Sequence, residues 1–241
     1  MQLRKAYLSI DLDYWQNEKT DRACRRFFER VFSLGLPIAV VDSHERMLQD
    51  VNGSKANVLY HVDYHSDLTG YCSQLEAELE AKRKPDDGTW INHVRWRRTG
   101  EVYWFYPSGK CYGTGQLYST PMGRERGYGV CWRNAEENPF YKTTYNEWGQ
   151  VHRSRGCADI DWSIVSGVGV ALSADYLVRT FPVFSSMKKD LYKNVKPFDW
   201  AVSKLGVRQR LIDSFANHTQ GSKWITVVNV GKKGSDDANP N

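Results

Sequence analysis

The 241-residue sequence has no apolar run long enough to span a bilayer. It also has no N-terminal apolar segment followed by a small-residue cleavage site, so neither a membrane anchor nor a secretory signal is expected. Its five cysteines (Cys24, Cys72, Cys111, Cys131 and Cys157) are odd in number and scattered, and no CxxC pair occurs. That spacing argues against a disulfide framework or a zinc–thiolate site and favours a reducing, cytoplasmic setting. A strong excess of one charge is missing too. The 33 Lys and Arg against 28 Asp and Glu leave +5, too little to argue for a nucleic-acid partner. No internal repeat occurs, and 241 residues suffice for one domain with a sizeable core.

What is present is an alternation of short apolar runs and amphipathic stretches. Ala6 to Ile10 reads as a strand, and residues 21 to 34 as a helix with Ala23, Phe27, Phe28, Val31 and Phe32 at helical spacing. Gly35 and Pro37 close that helix. A second strand follows at Ile38 to Val41, a helix at about 45 to 51, and a third strand at Asn57 to Tyr60. A charged helix is predicted from about 73 to 84, a turn at Asp86-Asp87-Gly88, and a strand at Val102 to Tyr106. Further strands are predicted at 164 to 172 and 224 to 230, with a helix at 198 to 218 between them. Strand–helix alternation with strands apolar on both faces is the pattern of a parallel sheet covered on both sides. The expected class is α/β: three layers, a mainly parallel sheet flanked by helices, and a β-rich aromatic insertion at about 96 to 157. Residues 1 to 230 form a single domain in this reading, and 231 to 241 (GKKGSDDANPN) a disordered tail.

The chemistry lies at three strand ends. Ile10 is followed by Asp11 and Asp13, Val41 by Asp42 and His44, and Val62 by Asp63, His65 and Asp67. Ligands of parallel α/β sheets sit beyond the carboxyl ends of the strands, and a spacing of two places side chains on one face of an extended chain. A lone DxD is commonly a turn or a cap, but three such ends in succession are not explained that way. Crowded carboxylates repel unless a cation neutralises them. Oxygen ligands with one or two imidazoles suit Mn²⁺ or a similar divalent ion. His61 is read as a packed core histidine or one that supports the ligands from behind, and His152 and His218 as surface residues.

Asp63-Tyr64-His65-Ser66-Asp67 resembles the DxHxD signature of the arginase (ureohydrolase) superfamily, Ser9 to Asp13 its SxDxD motif, and Asp42-Ser43-His44 its early Gly-Asp-His segment. The order is unusual, because SxDxD comes last in ordinary arginases and first here. The longer strings SIDLDYW, VVDSHERML and HVDYHSDL, with TWI and VYWFYP downstream, are similar to an arginase-like family that includes peptide arginases of ribosomal-peptide maturation. The resemblance covers about residues 7 to 107. It implies an arginase-like fold and hydrolysis of peptidyl arginine to ornithine and urea, with two Mn²⁺ as cofactors and a leader-bearing precursor peptide as partner. It implies that His44, Asp63, Asp67 and Asp11 hold one Mn²⁺, that His65, Asp63, Asp11 and Asp13 hold the other, and that Asp63 and Asp11 bridge. Asp13 or Asp67 would handle the proton between water and leaving amine. His93, in Trp90-Ile91-Asn92-His93, weakly resembles the segment carrying arginase's proton-shuttling histidine, and an exposed loop histidine is the competing reading. The family's guanidinium-binding glutamate has no counterpart at the matching strand. Glu45, beside the site, is the stand-in for substrate binding, and Asp175 a further candidate.

Residues 96 to 157 interleave aromatics with arginines, among them Trp96, Arg97, Arg98, Trp104 and Trp132. Most are read as packing a β-rich core, with a peptide-docking surface next and a single-strand nucleic-acid platform last. Rival functions are arginase action on free arginine, another amide or amidine hydrolase on the same scaffold, and, more remotely, an RNA-binding module. Zinc deacetylases of this fold carry adjacent histidines at the metal, and binuclear phosphoesterases a Gly-Asn-His-Glu/Asp segment. Neither occurs here.

Overall fold

Strand β1 (Ala6–Asp11) has every residue buried, as the centre of a sheet requires. In the computed structural model, which describes residues 4–15, 18, 20–65, 67, 84–85, 88–95, 100–107, 140–142, 148–173, 196–211 and 225–229, it alternates between two cores. Ala6, Leu8 and Ile10 join one cluster with Phe28 and Val31 of helix α1 (Arg22–Ser33) and Ala201 and Val202 of helix α3 (Asp199–Lys204). Tyr7 joins the other, with Met47 and Val51 of helix α2 (Met47–Ser54) and with Trp90 and Ile91 of the 3₁₀ turn Trp90–His93. Helices and turns therefore cover both faces of the sheet, which places the protein in the α/β class.

The remaining strands are β2 (Pro37–Val41), β3 (Val58–Val62), β4 (Glu101–Tyr106), β5 (Phe140–Lys142), β6 (Trp148–Arg155), β7 (Val165–Ala171) and β8 (Ile225–Asn229). Their order across the sheet is β5-β6-β4-β3-β1-β7-β2-β8. From β6 to β2 all neighbours are parallel, and an antiparallel strand closes each edge. After β1 the chain runs to β2 on one side, then crosses back to β3 on the other. The crevice where such reversals occur is where α/β sheets bind ligands. The carboxyl ends of β1, β2, β3 and β7 all open onto that edge because those strands are parallel.

Three features differ from the sequence reading. The three strands that carry the acids and histidines are not all neighbours: β7 lies between β1 and β2, so the strand ends carrying Asp11 and His44 are not adjacent. Part of the expected insertion belongs to the main sheet, since β6 pairs with β4 in parallel from Glu101↔Gln150 to Tyr106↔Arg155. The helix expected over 198 to 218 is broken. It stops at Lys204, turns through Gly206 at φ 68°, and resumes at 208–211. A positive φ favours glycine, and its presence there ends the helix.

α1 buries Cys24, Phe28 and Val31, the 4-and-3 spacing of a single helix face, and Gly35 at φ 65° ends it as the sequence predicts. Gly169 in β7 has no such φ requirement but a steric one. A Cβ there would collide with Met47 Sδ and stand 2.8 Å from Met47 Cε and 2.5 Å from Tyr7 Oη. Glycine thus allows α2 to sit close on the sheet directly behind the turn that carries His44.

The expected helix at 73–84 up to residue 83, the tail at 231–241, Asp175, His218 and residues 108–139 lie outside the described residues, as do the side chains of β5 and β6, including His152. Among the described residues no helix is long and apolar enough to cross a membrane.

Candidate metal centre

The period of two along β1 and β3 builds the floor of the site. Ser9 on β1, His61 on β3 and Trp104 on β4 stand side by side in parallel register and so share one sheet face. Two residues on come Asp11, the last residue of β1, and Asp63, the first residue past β3. The 3₁₀ turn His44–Arg46 brings His44 over this row from the end of β2.

His44 is oriented by Ser9, whose Oγ lies 2.7 Å from His44 Nε2. Its Nδ1 faces three carboxylate oxygens: Asp63 Oδ2 at 2.9 Å, Asp67 Oδ2 at 2.9 Å and Asp11 Oδ2 at 3.2 Å. A single N–H points at one acceptor, and here neither His44 Nδ1 nor Asp63 Oδ2 forms a hydrogen bond of ordinary geometry. His61 Nε2, 3.3 Å from Asp63 Oδ2 and 3.7 Å from Asp67 Oδ2, forms none either. Fully buried polar atoms are costly when unpaired. A cation, which attracts from every direction, satisfies them where a proton does not. The site passes this test of fit.

Two groups of side chains have ligand atoms close enough together to hold an ion: His44, His61, Asp63 and Asp67, and Asp13, Asp63 and His65. Asp63 belongs to both and divides its oxygens between them. Oδ2 faces His44, while Oδ1 lies 3.7 Å from His65 Nδ1, itself 3.0 Å from Asp13 Oδ2. Supporting contacts fix the carboxylates. Trp90 Nε1–H donates to Asp67 Oδ2 at 2.8 Å, and Trp104 Nε1–H donates to the Asp63 carbonyl at 3.1 Å. Asp11 Oδ1 accepts the Asp13 N–H at 3.0 Å, and its Oδ2 accepts the Ser173 hydroxyl. Asp67 and Ser173 adopt left-handed backbone, φ 49° and 43°, at a cost of about 1–3 kcal/mol each. Such strain persists where surrounding contacts over-determine the conformation, and it concentrates at functional sites.

Without a cation the cluster keeps protons. Burial and the neighbouring charges of Asp67, Asp13 and Asp11 push Asp63 well above the usual carboxylate range. Burial and the Asp11 charge lift Asp13 to about 6. Burial opposes the charged form of His65, but Asp13 outweighs it and holds His65 at about 9. His44 is raised likewise against its burial by Asp11, Asp63 and Asp67. Burial alone would raise Asp67, yet the adjoining His44 draws it down to about 2. Burial drives His61 down to about 3, so it is neutral.

A cation must therefore displace protons from the raised groups, His65 among them, and its binding releases them to solvent. Affinity is expected to rise from pH 6 to pH 9 as His65 and Asp13 lose their protons. Calorimetry of Mn²⁺ binding in two buffers of different ionisation heat checks this. A binding heat independent of the buffer contradicts it.

The cluster brings together all six residues expected as ligands: Asp11, Asp13, His44, Asp63, His65 and Asp67. His61, read from sequence as a supporting residue, lies among them. Glu45 is placed in the His44 turn, where its carboxylate accepts the Ser43 hydroxyl and pairs with Arg46 Nε at 3.2 Å. His93 is buried, not exposed in a loop, at the end of the turn that carries Trp90. Ser9, Trp90, Trp104 and Ser173 were not singled out as site residues. Ser9 could have been, because it stands two residues before a clustered aspartate on the same strand face. Trp90 and Ser173 carry no such signal, since their roles depend on long-range packing. No protein-family model, curated protein or solved structure matches this chain.

Proposed function

We propose that the protein is a binuclear metal-dependent hydrolase of the arginase-like class, with Mn²⁺ as its metal. Its substrate in this reading is the guanidinium group of arginine side chains in a ribosomally made precursor peptide, and its products are ornithine and urea. The observation that carries the proposal is Asp63, whose two carboxylate oxygens face two different His/Asp groups. The choice of guanidinium as the reacting group, and of a peptide as its bearer, rests on the motif resemblance of residues 7 to 107.

His44, Asp63, Asp67 and Asp11 would hold one ion, and His65, Asp63, Asp13 and Asp11 the other. Bound divalent ions supply Lewis acidity and a water of lowered pKa near neutral pH. The reaction adds water across the C–N bond: oxygen joins the guanidinium carbon, the bond from that carbon to the side-chain nitrogen breaks, and both protons of the water pass to that nitrogen, giving urea and the ornithine ammonium. Asp13 or Asp67 would relay a proton between water and the leaving nitrogen, as the resemblance implies. Asp67, kept acidic by His44 and fixed by the Trp90 N–H, is suited to orientation. Glu45 already pairs with a guanidinium, that of Arg46, so a substrate arginine bound there has to displace Arg46.

The test is urea release by Mn²⁺-loaded protein from arginine-containing peptides and from free arginine. Urea from peptides and not from the free amino acid is expected. Absence of urea from both, with metal bound, contradicts guanidine hydrolysis and favours an amide-cleaving activity of the same centre.

A further inference from the structure

The resemblance assigns His61 no ligand role. His61 is completely buried, as a packed core histidine is, but it differs from one in two ways. Its Nε2 finds no hydrogen-bond partner. That nitrogen is aimed at Asp63 Oδ2 and Asp67 Oδ2, at 3.3 and 3.7 Å. A histidine buried for packing alone normally satisfies its ring nitrogens, because a buried polar group left unpaired loses its hydration without compensation. The surroundings hold the ring in place. Ser9 and Trp104 flank it in register on the neighbouring strands, and the rings of His44 and Trp90 stand at 5.0 and 5.9 Å. Asp11, by contrast, has both oxygens engaged, by the Asp13 N–H and the Ser173 hydroxyl.

We propose that His61 is itself a metal ligand, through Nε2, and that it closes one of the two cation positions with the set His44, His61, Asp63 and Asp67. The inference rests on the binuclear centre proposed above, takes Asp11 out of both ligand sets and puts His61 into one, and so makes the two positions unequal. The first has four protein ligands, each 5 % exposed or less. The second, Asp13, Asp63 and His65, has three and opens to solvent through His65, whose side chain is 32 % exposed. Closed four-ligand sites retain their ion, whereas three-ligand sites keep a place for water and substrate. The closed position is therefore the retained, organising ion. The open one exchanges with solvent and is where substrate reaches the centre.

Two readouts other than activity test this. The full chain is loaded with Co²⁺ alone, and imidazole N–H resonances are recorded by NMR. A hyperfine-shifted, slowly exchanging N–H that is absent from His61→Asn is expected. In parallel, cations retained after desalting are counted for wild type, His61→Asn and His65→Asn loaded with Mn²⁺. His65→Asn is expected to keep the tightly held ion, and His61→Asn to lose it. Should His61→Asn fail to fold, His61→Gln, which retains a donor near the Nε2 position, replaces it, and a weakened but measurable closed position is expected. Shifted signals from His44 and His65 without one from His61, or unchanged retention in the His61 variant, overturn the ligand role and leave the binuclear centre standing. Absence of any shifted signal and of any retained cation overturns both.

Discussion

Asp63→Asn is expected to abolish cation binding at both proposed positions, and with it the proposed hydrolysis, while leaving the fold intact. The side chain is buried and isosteric with its replacement, so packing is preserved. What changes is charge and the donor atom at one oxygen, and Asp63 is shared by the two clusters of possible ligand atoms found among the described residues. Removing a partner that merely orients a ligand typically costs about 10–100-fold in metal affinity or activity. Loss of a residue that serves both ions is expected to exceed about 100-fold on the same scale. Metal counting after desalting and far-UV circular dichroism check the two halves of the prediction. The variant should retain no Mn²⁺ and keep the wild-type spectrum. Full metal retention would remove Asp63 from the centre.

Phe28→Ala has the opposite signature. Phe28 is fully buried in the core that α1 and α3 form on the sheet face away from the metal cluster. Its ring packs on Trp15 and Phe32, both at 5.7 Å, and on Phe27 at 6.0 Å. Truncating a buried Phe to Ala costs about 3–5 kcal/mol. At about 2–4 °C per kcal/mol for a chain of this size, Tm should fall by about 6–20 °C. Below the new Tm the variant should bind Mn²⁺ with unchanged stoichiometry, because none of the residues lost from contact belongs to the cluster. Thermal denaturation of the metal-free protein beside metal counting separates the two effects. A small Tm change with altered metal binding would mean that the two sheet faces are coupled.

How much of this was legible in the sequence follows from which interactions are local. β1, β2 and β3 are short, apolar on both faces and bounded by Asp or turn residues, so their existence and the acids at their ends could be read directly. α1 could be read from Phe28 and Val31 on one face and Gly35 past its end. Strand order could not. Nothing in Val165–Ala171 states that it inserts between β1 and β2, because the choice is made by Tyr7 and Met47 fitting against Gly167 and Gly169 across more than a hundred residues of chain. β6 was similarly obscured: its polar sequence, Trp148–Arg155, lacks the apolar run expected of a parallel strand, and it lies near the sheet edge, where that requirement relaxes. The candidate ligands were visible because DxHxD-type spacing is local chemistry. The Trp90 contact to Asp67 and the Ser173 contact to Asp11 were not, since each joins segments far apart in sequence.

The most direct test of the centre is a crystal structure of the full chain grown with Mn²⁺, with anomalous difference density recorded at the manganese edge. Two peaks are predicted, roughly 3.5–4 Å apart, with Asp63 between them. One should lie among His44, His61 and Asp67, and the other beside Asp13 and His65. Density elsewhere on the protein, or none within reach of Asp63, would contradict a binuclear metal centre at these strand ends.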